Sequence, residues 1–361
     1  MLIQLGIMGL LAAMLPLTIV WVSSDTDKYR KLVWVTLFLT FDLIMFGAFT
    51  RLTDSGLGCP DWPGCYGEAN PFQAHADIHA AETAMPTGPV TVMKAWIEMI
   101  HRYFAMGIGV LIISMMVIAW RRWLKSGRKD VKFSPAFPTM LLGFVCLQGA
   151  FGAWTVTMKL QPIIVTIHLL LGMGLLALLT WFGARLSEQP RLAQPVSALR
   201  TPAFLVLMLL VFQIALGGWV SSNYAALACT DFPLCHGTLF PHMDFANGFT
   251  LWRDLGMTAK GEYLLLPALI AIHWTHRIFA FVVVALAAWL ALKALKIDAL
   301  RKTARWILIM IALQFMTGTL TIFLNFPLAL AVLHNGGAAL LLLLLTMLNC
   351  KMRLAANTAS A

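Results

Sequence analysis

The sequence predicts an all-α polytopic membrane protein: two tandem four-helix bundle repeats, in parallel and related by a pseudo-twofold, preceded by one extra transmembrane helix. Three observations predict this. Sixty per cent of the 361 residues are hydrophobic and 12% are charged, more apolar surface than a water-soluble domain can hide. Apolar runs recur at the ~20-residue length needed to cross a ~30 Å hydrocarbon layer as a helix. A set of motifs appears twice along the chain.

Nine runs qualify as spans: about 2–22, 33–51, 96–120, 136–157, 162–183, 202–221, 267–292, 305–325 and 327–349. The first lacks a preceding basic stretch and a small-x-small cleavage site, so it reads as a retained helix and not as a signal peptide. The break between the last two rests on Asn325 and Pro327.

The net charge of +10 does not mark a nucleic-acid partner, because its distribution follows topology. If the loop with Lys28, Arg30 and Lys31 is cytoplasmic, every second loop is basic as well. These loops carry Arg121, Arg122, Lys125, Arg128, Lys129 and Lys132, then Arg185, Arg191 and Arg200, then Lys293, Lys296, Arg301, Lys302 and Arg305, and finally Lys351 and Arg353. Arg51, Lys94, Lys159, Arg253 and Lys260 fall on the other side. This positive-inside bias places the amino terminus outside and the carboxy terminus in the cytoplasm. Two outward loops are long, about 52–95 and 222–266.

Those loops begin alike. Gly47, Leu57, Cys59, Asp61, Pro63, Cys65 and Gly67 match Gly217, Leu227, Cys229, Asp231, Pro233, Cys235 and Gly237 without a gap. The match continues through His101-Arg102-Tyr103-Phe104-Ala105 and His276-Arg277-Ile278-Phe279-Ala280. It then runs through Gln148, Gly152 and His168 against Gln314, Gly318 and His334. The even number of spans per repeat gives both repeats one orientation. The chain divides into 1–30 (extra helix and cytoplasmic linker), 31–190 (first repeat) and 191–361 (second repeat).

His101, His168, His276 and His334 all lie roughly 8–14 Å below the outward ends of their spans at ~1.5 Å per residue. A single intramembrane histidine is as readily an interhelical hydrogen-bonding group as a ligand. Four at one depth, in duplicated contexts, point to two metal or haem sites, each held by imidazoles from two helices. Glu98 shares a helical face with His101, and an acid at that depth is costly and usually functional. The second repeat has His273 there instead. Glu98 also has a plain reading, reaching water or pairing with Arg102, and His273 could substitute for His276 as a ligand. Arg51, Arg102 and Arg277 suit propionate forks or interfacial snorkelling.

Cys59 with Cys65, and Cys229 with Cys235, would close tight loops as disulfides on an oxidising side. They read as staples or as redox-active pairs; zinc with His75, His79, His236 or His242 is a third reading, although the knuckle spacing is missing. Those four histidines otherwise read as loop residues, and Cys146 and Cys350 as apolar fillers in helices.

The run TRLTDSGLGCPDWPGCYG at 50–67, the Glu98-Met99-Ile100-His101 motif and the repeated His-Arg phrase resemble the haem A synthase family, over about 33–349. The resemblance implies oxidation of the C8 methyl of haem O to a formyl group, by successive hydroxylations and loss of water, for cytochrome oxidase assembly. It implies that His276 and His334 hold a permanent haem b, that His101 and His168 hold the substrate haem, and that Glu98 is catalytic beside it. A bacterial inner membrane, haem sites near the periplasmic side, and access for a farnesyl tail from membrane lipid follow. The resemblance leaves room for haem O synthase and an electron donor as partners, and for a homo-oligomer. Rival readings are a di-haem membrane cytochrome b linking quinol to outer disulfides, a haem-transfer protein, and an ion-coupled transporter. The extra helix at 2–22 lies outside the family's eight-helix plan.

Overall fold

The computed structural model describes residues 1–187 and 196–359, the side chains of 355–359 excepted. Among the described residues, nine helices are long and apolar enough to cross a membrane, and no strands form beyond isolated bridges. They are α1 (Leu2–Val22), α2 (Lys28–Leu52), α4 (Val92–Lys125), α5 (Ala136–Thr157), α6 (Pro162–Leu186), α7 (Ser197–Ser222), α9 (Leu266–Ala294), α10 (Asp298–Phe323) and α11 (Leu328–Ala359). Two short helices lie in the long loops: α3 (His75–Ala84) and α8 (Phe245–Gly248). His75 and His79 therefore sit on a helix, where the sequence reading made them loop residues. The Ala-rich segment HADIHAAETA favours that helix locally.

The spanning helices outrun their apolar windows because polar ends continue them into water. The Asp27 side chain accepts from Arg30 N at the start of α2, and Thr91 Oγ1 accepts from Lys94 N at the start of α4. Arg122 and Lys125 close the last turn of α4, where cations suit the carbonyl end of a helix.

The tight turn between α10 and α11 falls where Asn325 and Pro327 predict it, with Asn325 and Phe326 at φ 53° and 62°. Between α5 and α6, Lys159 and Leu160 adopt φ 50° and 58°. These two turns correspond in the repeat register that pairs His168 with His334. Consecutive left-handed residues are uncommon outside glycine, so the same pair at both places reflects a shared turn.

The chain forms two compact units, Met1–Lys159 with Gly174–Ser187, and Leu160–Met173 with the rest of the chain. The sequence boundary between residues 190 and 191, and Arg191 with it, lies outside the described residues. In the first unit α1 packs along α4. A side chain added at Gly9 would meet Met106 Cβ at 2.9 Å, and one at Gly107 would meet Ala12 Cβ at 3.0 Å. Small residues bring membrane helices this close. In the second unit Asn349 Nδ2 on α11 donates to the Ala203 carbonyl of α7 at 3.0 Å. Trp219 Nε1 donates to the Gly248 carbonyl at 2.9 Å, fixing α8 to the end of α7.

Candidate functional site

The loops are built first, because they reach the helices that carry the candidate residues. Cys59 bonds Cys65, and Cys229 bonds Cys235, each with Cα atoms 4.9 Å apart. All four sulfurs lie in buried residues. Inside the first clasp the Asp61 carboxylate accepts from the backbone N–H of Tyr66 and Gly67, both at 2.7 Å. Inside the second, Asp231 accepts from His236 and Gly237 at 2.7 and 2.8 Å. The amide of Gly237, then that of His236, holds the Asp231 carboxyl below the ordinary aspartate value. Tyr66 and His236 take φ 52° and 53°, Gly67 and Gly237 both 76°. Cis peptides precede Pro63 and Pro233. The gapless sequence match is therefore a match in backbone conformation.

With both thiols of each pair bonded to each other, neither clasp offers the thiolates that zinc needs. Among the described residues no three His, Cys, Asp or Glu side chains gather as metal ligands. Cys146 and Cys350 remain as thiols on α5 and α11.

Each clasp is docked on a helix by an arginine. Arg102 Nη1 donates to the carbonyls of Asp61, Pro63 and Gly64 at 3.1, 3.3 and 2.5 Å. Arg277 Nη1 donates to Asp231 and Leu234 at 2.8 and 3.1 Å, and Nη2 to Cys229 at 2.6 Å. The propionate reading of these two arginines is corrected here: their guanidinium groups are spent on loop carbonyls.

Glu98 belongs to the same framework. Its Oε2 accepts from the Cys59 N–H at 2.8 Å, and its Oε1 from Arg102 Nη2 at 2.5 Å. The side chains of this ion pair are only 5% and 10% exposed. Both readings of Glu98 thus begin from one geometry, an acid fixed between clasp and helix three residues before His101. His273 occupies the corresponding place: Arg277 Nε donates to its Nε2 at 3.0 Å, and Cys229 N lies 3.3 Å from its Nδ1. That engagement turns His273 toward the clasp and away from a ligand's role.

The four histidines lie on four helices, His101 on α4, His168 on α6, His276 on α9 and His334 on α11. All four residues are half-buried. His101 and His168 fall in the first and second compact units respectively, whereas His276 and His334 share the second. Three rings each bring one atom close to a glycine. A Cβ at Gly47 would sit 3.0 Å from His101 Nε2, one at Gly217 3.1 Å from His276 Cε1, and one at Gly318 3.0 Å from His334 Cε1.

The second-repeat pair is also held by polar partners, of which the sequence reading singled out only Gln314. Thr317 Oγ1 lies 2.9 Å from His334 Nδ1 and donates its own proton to the Leu313 carbonyl at 2.9 Å. While the hydroxyl donates to that carbonyl it can accept from the imidazole, an arrangement that fits the tautomer protonated on Nδ1. Gln314 Nε2 donates to the His334 carbonyl at 3.0 Å. Gln213 Nε2 lies 3.1 Å from both the His276 carbonyl and His276 Nδ1, and its buried Oε1 has no partner. In repeat register Gln213 matches Leu43, and Thr317 matches Phe151. The visible signal was a glutamine inside an apolar run, four residues before a matched glycine.

Apolar helices, imidazoles set on four of them and disulfide clasps docked on their ends define an all-helical, polytopic membrane protein with an internally repeated framework. A sequence profile of cytochrome oxidase assembly proteins matches residues 30–346, and the chain belongs to that family. It is 40% identical to a heme A synthase of Shewanella oneidensis over 88% of this chain and 96% of that protein. It is 28% identical to heme A synthases of Sinorhizobium medicae (88% and 89% covered) and Caulobacter vibrioides (89% and 96% covered).

Proposed function

We propose that this protein is a haem A synthase of a bacterial inner membrane, oxidising the C8 methyl of haem O to a formyl group for cytochrome oxidase assembly. Family membership and the heme A synthase relatives support the reaction. The observation that carries the division of labour is the asymmetry between the repeats. The second repeat orients its imidazoles with Gln213 and Thr317, as a permanent cofactor requires. The first repeat has Leu43 and Phe151 at those positions and carries Glu98 where the second has His273.

On this reading His276 and His334 hold haem b, which when bound supplies electron transfer. A His334 tautomer protonated on Nδ1 and the glycines close to the rings fit a planar iron macrocycle. His101 and His168, their counterparts in sequence, hold haem O as substrate. Glu98 is the catalytic acid of the first repeat; Arg102 and the Cys59 amide keep it three residues from His101, where its charge can move a proton or stabilise positive charge developing at the oxidised methyl. The basic loops put the amino terminus in the periplasm, the carboxy terminus in the cytoplasm and the haem sites near the periplasmic side. The farnesyl tail enters from lipid. Haem O synthase is the natural upstream partner, and an electron donor is required.

Glu98→Gln tests the catalytic role. Glutamine keeps an acceptor for the Cys59 amide and removes the charge. The expected result is retained haem with formyl haem reduced at least ~100-fold, a loss within the usual span of acid–base catalysis. Normal haem A yield from that variant rejects the assignment. His276→Ala and His334→Ala are expected to lose the resident haem absorbance.

A further inference from the structure

The helix that precedes the repeats is more than an anchor. The family match begins at residue 30, so α1 lies outside it. Leu5 is buried in one cluster with Cys59, Cys65, Ala69, Met99 and Tyr103, against which Met8 and Met106 also pack. Gly9 and Ala13 are buried as well, so α1 touches both the first clasp and α4 just past His101. The residues of α4 on this seam differ in kind from their counterparts. Tyr103 and Gly107 are buried, whereas the corresponding Ile278, Phe281 and Val282 of α9 (matching Tyr103, Met106 and Gly107) are 44%, 43% and 43% exposed. The first repeat has a face shaped to receive a helix, and the second presents large apolar groups on the same face.

We propose that α1 is a one-sided brace for the first repeat: it fixes the height of the α4 segment bearing Glu98 and His101, and it seals the Cys59–Cys65 clasp. Gly9 is the residue on which the close approach depends, because a side chain there collides with Met106. Leu5 is the residue that carries the contact to the clasp.

The test uses the full-length purified chain with Gly9→Leu as the wedge. Gly6→Leu is the control, since Gly6 has nothing within 4 Å of an added Cβ and takes the same leucine on an open face. The readout is the rate at which phosphine reduces Cys59–Cys65 relative to Cys229–Cys235 in the same molecule, followed by alkylation and peptide mass. Overpacking a close helix contact is expected to raise this ratio about tenfold in Gly9→Leu. Gly6→Leu is expected to leave it unchanged, and Met106→Gly combined with Gly9→Leu to restore most of it. If Gly9→Leu does not fold, Gly9→Ala gives a smaller rise of the same sign. Equal ratios in the Gly6 and Gly9 variants, or equal acceleration of both clasps, overturn the brace.

A second arm rests on the proposed function: haem O uptake falls in Gly9→Leu while the absorbance of the second-repeat haem holds. Loss of both together overturns the one-sided role. An unsubstituted chain that takes up no haem O overturns the proposed function alone, because the clasp ratio still decides what α1 does.

Discussion

A glycine beside an imidazole decides where the ring can lie. A Cβ at Gly318 would come 3.0 Å from His334 Cε1, and Thr317 Oγ1 on the preceding position lies 2.9 Å from its Nδ1. The first constraint is steric and the second electronic, so they fail differently. Gly318→Val is expected to push the ring aside and abolish haem retention in the second repeat. Thr317→Val keeps the volume and removes only the acceptor; outer-shell changes of this kind cost about 10–100-fold in metal affinity. Haem titration of the stripped protein measures both, and an unchanged affinity in Thr317→Val would show that the tautomer is set by something else. Asp231 makes the corresponding statement about the clasp. Its folded value is depressed by the amides it accepts from, first Gly237 and then His236. The sign is that of a depressed carboxylate. The stabilisation is complete above the ordinary value of 3.8 and is lost as pH falls through the folded value beneath it. Phosphine reduction of Cys229–Cys235 is therefore expected to accelerate between about pH 5 and about pH 3, and Asp231→Asn to flatten that profile.

At the scale of elements, the clasps and the helices that receive them form single units. Arg102 spends one nitrogen on three carbonyls and the other on Glu98, with both side chains buried. Removing one partner of a buried pair leaves the other charge stranded, at about 3–5 kcal/mol. Glu98→Ala should therefore loosen the first clasp as well as remove the acid. Glu98→Gln also leaves the Arg102 charge unpaired but keeps an acceptor for the Cys59 amide, so it should loosen the clasp less than Glu98→Ala, and a thermal melt of the two variants separates the effects: a melting point equal in both would contradict the framework role. The nine spans were legible because apolar length is the signal the bilayer imposes. Asn325 and Pro327 marked their turn because the chain there leaves the helical region. The cysteine pairs were legible as disulfides from spacing within one loop. The short helices α3 and α8 were not legible, since ten and four residues carry no long apolar run. Nor was the use of Arg102 and Arg277, because their acceptors are carbonyls dozens of residues away. Gln213 and Thr317 acquired meaning only when neighbouring helices placed them against His276 and His334.

Across the whole molecule, one framework is used twice with different fittings. The clasp, its aspartate, the docking arginine and the glycine behind the imidazole recur in both halves. Only the second half adds Gln213 and Thr317 beside its histidines, and only the first has Glu98 and a covering helix. On the proposed function, these few side chains turn one place toward holding and the other toward reacting. The rival electron carrier shares every histidine and both clasps, so ligation spectra alone do not separate it from a synthase. The mass of the porphyrin does. Supplied with haem O in membranes that have no other source of haem A, the chain is expected to yield a porphyrin in which a methyl has become a formyl group, two hydrogens replaced by one oxygen, and Glu98→Gln to return haem O unchanged. Recovery of haem O alone from membranes in which the unsubstituted protein is folded and carries its resident haem would contradict the account.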